Sequence, residues 1–171
     1  NYHLFNHVNI PRNQIHIPDG TIKDKDVVAF CKEYEQKIME AGGLDLQLLG
    51  IGRTGHIGFN EPGSQPNSPT RLITLDALTR IDAAPDFGGL QKVPTRAITM
   101  GISTIMAAKR ILIMALGGKK APIVYQAIEG PATEKVPSSY LQRHTNVSFI
   151  LDAPAAAQLT RIRTPWLVGS C

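Results

Sequence analysis

The segment Ile111–Leu116 reads ILIMAL, an unbroken apolar run, and Gly117-Gly118 follows it at once. A strand with one wet face alternates between apolar and polar residues. A run without alternation calls for a strand covered on both faces, which is the habit of parallel sheets in α/β folds. The rest of the chain is punctuated to match. Gln47–Leu49, within a strand expected over 44–49, Ala97–Met100 and Val147–Leu151 are further apolar or β-prone segments, and Arg71–Leu75 is another. Helical patterns alternate with them. Val27, Cys31, Tyr34, Ile38 and Ala41 recur at three- and four-residue steps, with Thr21 as the expected cap and Gly42-Gly43 as the stop. Shorter helices are expected over 76–84, over 104–109 behind a Ser103 cap, over 119–129, over 138–143 and after Asp152; Ile15–Ile17 is a short strand candidate. Strands alternating with helices predict a three-layer α/β sandwich with a mostly parallel sheet.

In such sheets ligands bind beyond the carboxyl ends of strands. Two segments fall there: the glycine- and proline-rich stretch from Gly50 to Pro69, and the turn Gly117–Lys120. The first contains Gly50-Ile51-Gly52-Arg53-Thr54-Gly55, a formal match to the dinucleotide pattern G-x-G-x-x-G, with Asp76 near the spacing of a ribose-binding acid. That pattern works only if its third glycine opens a helix. Here Pro62, Pro66 and Pro69 follow, and an interior proline costs a helix about 3 kcal/mol. A nicotinamide site is therefore not expected, and a phosphate-binding Walker loop fails because His56 stands where lysine is needed.

The same loop carries acid–base chemistry. His56 and Glu61 are five residues apart in a flexible stretch that can fold them together. A carboxylate on one imidazole nitrogen fixes the tautomer and leaves the other nitrogen free to move protons. Asn60 could bond a sugar hydroxyl, and Gly52, Gly55 and Gly58 would let backbone N–H groups approach an oxygen-rich ligand. Lys119 and Lys120 open a helix after a strand, an arrangement suited to phosphate. The remaining histidines, His3, His7, His16 and His144, show no ligand spacing, so no metal is assigned.

Composition narrows the partners. Net charge is +4, but the basic residues are scattered and the aromatics few, which speaks against nucleic acid and suits a small anion. No apolar run reaches the ~18 residues of a membrane span, and Asn1–Pro11 has no signal-peptide core. The two cysteines, Cys31 and Cys171, suggest reduced thiols in a cytoplasmic protein. The chain opens without Met and closes on the apolar Trp166-Leu167-Val168, so it reads as a piece of something longer.

Gly50–Gly63, GIGRTGHIGFNEPG, resembles the active-site signature of the glucosamine-6-phosphate deaminases. Further blocks keep the family order: Ser68–Leu75 (SPTRLITL), Val93–Ile102 (VPTRAITMGI), Gly117–Ala121 (GGKKA), Ala127–Gly130 (AIEG) and Leu141–His144 (LQRH), with Tyr2–Ile10 and Tyr34–Ile38. The resemblance covers nearly the whole chain. It implies a cofactor-free conversion of D-glucosamine 6-phosphate and water to D-fructose 6-phosphate and ammonia, in a protein that is a homo-oligomer at full length. His56 would move the ring-opening proton, Glu61 would orient it, and Lys120 would bind the 6-phosphate.

Departures from the family pattern are informative. Thr54 stands where the family usually has aspartate, so the relay would either rest on Glu61 alone or include a water held by the Thr54 hydroxyl. The family's enediol base and phosphate loop belong to an N-terminal segment absent here; residues 1–171 would be the C-terminal part of one domain, inactive alone. The family's phosphate arginine is missing near Ala84–Gly88, with Arg80 the nearest substitute, and Ile73 replaces a lysine tied to allosteric activation. The Arg53-Thr54 variant and the tail Thr160–Val168 resemble a longer bacterial form in which residues 160–171 would begin a linker to a deacetylase-like domain. Two other functions share the fold. A 6-phosphogluconolactonase tends to a Ser-Leu-Phe-Pro-like stretch after the histidine, unlike Phe59-Asn60-Glu61-Pro62. A sugar-phosphate-sensing module would tolerate Thr54 but has no need of His56 and Glu61.

Overall fold

The computed structural model of the protein describes residues 3–164. In chain order its helices and strands are α1 (Val27–Glu40), β1 (Gln47–Gly50), β2 (Arg71–Thr74), α2 (Ala77–Phe87), β3 (Arg96–Thr99), α3 (Ile102–Met106), β4 (Ile111–Ala115), α4 (Ala121–Ile128), β5 (Val147–Leu151), α5 (Ala153–Ala156) and α6 (Thr160–Arg163). Strands β1, β4 and β5 form a parallel sheet in that order, and β2 and β3 pair antiparallel beside it. The fold is α/β with a mostly parallel sheet, as the sequence predicts.

Register explains which face of the parallel sheet is dry. Leu49 lies opposite Ile113, and Ile113 opposite Phe149; together with Ile111 and Ala115 they pack on Ile102, Ile105, Val124 and Leu141. The other face carries Leu48, Met114 and Ile150, which are 57%, 41% and 47% exposed. The double burial expected of Ile111–Leu116 is thus met on one face only, and the third layer of the sandwich is not supplied among the described residues.

Several local expectations are corrected. Ile15–Ile17 joins no ladder; Pro11 and Pro18, which lack donors, bracket it. Thr21 does not cap α1, because its N–H and hydroxyl both turn back to Asp19 Oδ1, and a 3-10 turn over Asp24–Asp26 intervenes. Helix α2 runs through Pro85 and stops instead at Gly88, left-handed at φ 68°, with Gly89 N–H closing onto Ala84 O. Ser103 is not a cap either. Helix α3 starts earlier, with Gly101 at the cap, where a Cβ would lie 1.9 Å from Ser68 O, and Ser103 Oγ is spent on that same oxygen at 2.8 Å. The segment expected as a helix over 138–143 is a 3-10 helix, Pro137–Arg143. Trp166–Val168 and Cys171 lie outside the described residues.

Candidate active site

The loop after β1 is held from within before any ligand arrives. Ile57 is fully buried in the core and anchors its middle. Gly52 N–H donates to His56 O at 3.0 Å, and Gly55 N–H to Gly52 O at 3.0 Å, folding the chain back on itself. Gly55 O in turn accepts Ser138 N–H at 2.8 Å. The expectation that the Gly52 and Gly55 amides stay open for a ligand is thereby corrected, since both already have partners. Their need for glycine is steric. A Cβ at Gly52 would sit 2.1 Å from the His56 ring, so the imidazole rests directly on that residue. Gly55, at φ +82°, would press a Cβ to 2.8 Å from Val136.

His56, Thr54 and Glu61 come together as the sequence suggests. His56 Nδ1 lies 2.9 Å from Thr54 Oγ1 and 3.2 Å from Glu61 Oε2. A third neighbour, Thr79 Oγ1 on α2, stands 3.2 Å from the same nitrogen. Both hydroxyl protons have better destinations: Thr54 donates to Glu61 Oε2 at 3.0 Å and Thr79 to Glu61 Oε1 at 2.6 Å, within the range of hydroxyl–carboxylate bonds. Nδ1 therefore faces three acceptors and must carry the hydrogen. Nε2, which has no hydrogen-bond partner among the described residues, is left as the working nitrogen.

Glu61 accepts from Thr54, His56, Thr79 and, at 3.2 Å, the Asp76 N–H at the start of α2. Burial alone would raise its carboxyl. Hydrogen bonds from His56 and Thr79, the imidazolium charge and the Asp76 amide outweigh it and hold the group at about 2. A carboxylate at a helix N-terminus is also favoured by the helix dipole. Such a group stays ionised; it orients and stabilises the imidazole rather than taking its proton.

Lys120 reaches the same cleft from the other side. Asp152 accepts the Gly117 N–H at 3.0 Å and caps α5 through Ala155 N–H at 2.9 Å, which fixes the turn after β4. The Lys120 ammonium then donates to Ile51 O at 2.8 Å. Burial pushes this ammonium below its ordinary value, opposed by Asp82 and reinforced by Arg53. A cleft of about 460 Å³ has His56, Gly52, Thr79, Asp82 and Lys120 in its wall. Arg53 and Asp82 form a largely exposed bidentate pair at its rim, 2.8 and 2.6 Å. Among the described residues no cluster of His, Cys, Asp or Glu is arranged to hold a metal, and no helix is long and apolar enough to cross a membrane.

Asn60 is a correction. It is fully buried, donates to Ile57 O and Met100 O at 2.9 and 2.8 Å, and accepts from Arg71 at 2.8 Å, so its amide has no side free for a sugar hydroxyl. Arg80 is committed elsewhere as well, to Leu90 O and Val93 O. His144 is structural, with Nε2 on Ala108 O at 2.8 Å. Sequence reasoning missed Thr79 and the role of α2. No local pattern points to them: Asp76 caps α2, and only the docking of that helix brings the Asp76 N–H and Thr79 to Glu61.

Residues 1–149 match the family described as glucosamine-6-phosphate isomerases/6-phosphogluconolactonase. A putative glucosamine-6-phosphate deaminase-like protein of Bacteroides thetaiotaomicron is 48% identical over 168 residues, 98% of this chain and 25% of that protein. A glucosamine-6-phosphate deaminase of a Geobacillus species is 50% identical over 155 residues, 91% of this chain and 61% of its own length. Among solved structures, a monomeric glucosamine-6-phosphate deaminase superposes with a TM-score of 0.86 at 42% identity, covering 90% of this chain and 63% of that one. The chain thus spans less than two thirds of the length of these relatives. With nearly all of its described length matched and the His56–Glu61 loop in place, the chain belongs to the glucosamine-6-phosphate isomerase/6-phosphogluconolactonase family.

Proposed function

We propose that this chain is the ring-opening and phosphate-binding part of a glucosamine-6-phosphate deaminase, converting D-glucosamine 6-phosphate and water to D-fructose 6-phosphate and ammonia. One observation carries the reading: His56 Nδ1 is saturated by Glu61 and two threonine hydroxyls while Nε2 has no partner among the described residues, in a cleft whose wall includes Lys120. Nε2 takes the proton of the anomeric hydroxyl and returns it to the ring oxygen as the C1–O5 bond breaks, giving the open aldehyde. Glu61 stabilises the transient imidazolium. Lys120 receives the 6-phosphate as a point charge. The later steps need a base at C2. That base is supplied by a segment outside residues 1–171, which form the C-terminal part of the deaminase-like domain. The enzyme acts in the cytoplasm, without a cofactor, and assembles as a homo-oligomer.

The relatives named as deaminases support this chemistry over lactone hydrolysis. The test is ammonia release from glucosamine 6-phosphate by the full-length protein and its His56→Ala variant. The variant should lose about 10²- to 10⁴-fold in kcat. A folded parent that binds the sugar phosphate without releasing ammonia would replace this reading with a sensing role.

A further inference from the structure

We propose that Thr79 is a positioning residue of the relay: from α2 it fixes the plane of the Glu61 carboxylate, so that the oxygen it does not hold is aimed at His56 Nδ1. Its role in turnover rests on the ring-opening reading above; its role in the tautomer does not.

Three observations support it. Thr79 is only 8% exposed, and its hydroxyl makes the shortest bond in the cluster, 2.6 Å to Glu61 Oε1. The same oxygen of Thr79 lies 3.2 Å from His56 Nδ1, so it is an acceptor for the ring N–H while its own proton is spent on Glu61. Finally, Glu61 is divided between two sets of donors. Oε2 serves Thr54 and His56 from its own loop, whereas Oε1 serves Thr79 and the Asp76 N–H from α2. A carboxylate can rotate about its last bond; the loop donors hold one of its oxygens, and the α2 set, with the shortest bond of the four, holds the other and so fixes its plane. With Thr54 offering a hydroxyl and no charge, Glu61 is the sole carboxylate bonded to the ring among the described residues, so its orientation decides the tautomer. Thr79 thereby ties the relay to a helix some twenty residues along the chain, and gives α2 a part in the chemistry that Asp76 alone would not.

The experiment uses the full-length protein and its Thr79→Val, Thr79→Ala and Thr79→Ser variants. Valine keeps the shape and removes the hydroxyl; serine keeps the hydroxyl and removes a methyl. Two readouts are taken: kinetics of ammonia release, and proton–nitrogen correlation spectra of the histidine rings, which report the His56 tautomer without turnover. Melting temperatures check folding, and alanine stands in should valine fail to fold. Thr79→Val should lower kcat about 10- to 100-fold with KM held within about twofold, and should move His56 off the Nδ1–H form. Thr79→Ser should restore both. An unchanged tautomer in Thr79→Val overturns the proposal whatever happens to kcat, and so does failure of serine to rescue, since either outcome leaves packing as the only role. If the parent releases no ammonia but valine still shifts the tautomer, the ring-opening reading falls and the positioning role stands.

Discussion

The two ends of the cleft are built to different standards. At the His56 end nothing is left to chance: the ring lies on Gly52, its Nδ1 has three oxygen neighbours, and Glu61 has four donors from two elements. At the Lys120 end a single flexible side chain touches one carbonyl, with a largely exposed Arg53–Asp82 pair nearby. Proton transfer fails when the donor and acceptor are displaced by an ångström, whereas a phosphate is satisfied by any well-placed positive charge. The contrast predicts that substitutions at the first end destroy turnover and that those at the second weaken binding.

Glu61→Gln is the sharpest way to break it. The shape survives, the charge does not, and the amide offers Nδ1 a donor or an acceptor depending on its flip. We expect kcat to fall about 10²- to 10⁴-fold with little change in KM. The same substitution has a signature in stability. Glu61 sits at about 2 in the folded protein against an ordinary 4.5. Its stabilising contribution is present in full above the ordinary value and is lost as pH falls through the folded one. Removing the charge should therefore flatten the acid side of the stability curve between those values, read by thermal melts across pH. An unchanged acid limb would mean that Glu61 is not held as an anion.

Gly52→Ala tests the other constraint on the ring, its floor. A methyl 2.1 Å from the imidazole cannot be accommodated unless His56 moves. A displacement of about an ångström costs on the order of a hundredfold in rate, with sugar-phosphate affinity preserved because Lys120 is untouched. A variant with full kcat would show that the ring position is not critical.

These residues also show how far the sequence could be read. The mostly parallel α/β fold and the gathering of His56 and Glu61 follow from local patterns: apolar runs, glycine stops, and two chemical groups in one loop; Thr54 entered only through the family resemblance. Thr79 and Asp76 were not legible as site residues, because their contact with Glu61 depends on how α2 docks, and no periodicity encodes a docking. Asn60 was misread for the complementary reason. In a loop a polar side chain looks available, but the fold turns this one inward to satisfy Ile57 O and Met100 O. The exposed face of Leu48, Met114 and Ile150 has the same root: hydrophobicity says that a strand can be buried, not which segment covers it.

Lys120→Met probes the looser end with the smallest expected effect. Methionine keeps most of the stem's length and removes the charge that burial already makes costly to hold. A hydrogen bond to a charged group contributes about 1.5–3 kcal/mol, so KM for glucosamine 6-phosphate should rise roughly ten- to a hundredfold. Turnover at saturation should change far less, because His56, Glu61 and Thr79 keep their contacts. Two controls make the result specific. KM for unphosphorylated glucosamine should stay where it is, and the parent's KM should rise with salt more steeply than the variant's, since a screened point charge is what the variant lacks. If kcat falls as far as KM rises, Lys120 acts on the loop through Ile51 O as well as on the ligand, and the division of the cleft into a rigid chemical end and an exchangeable electrostatic one no longer holds.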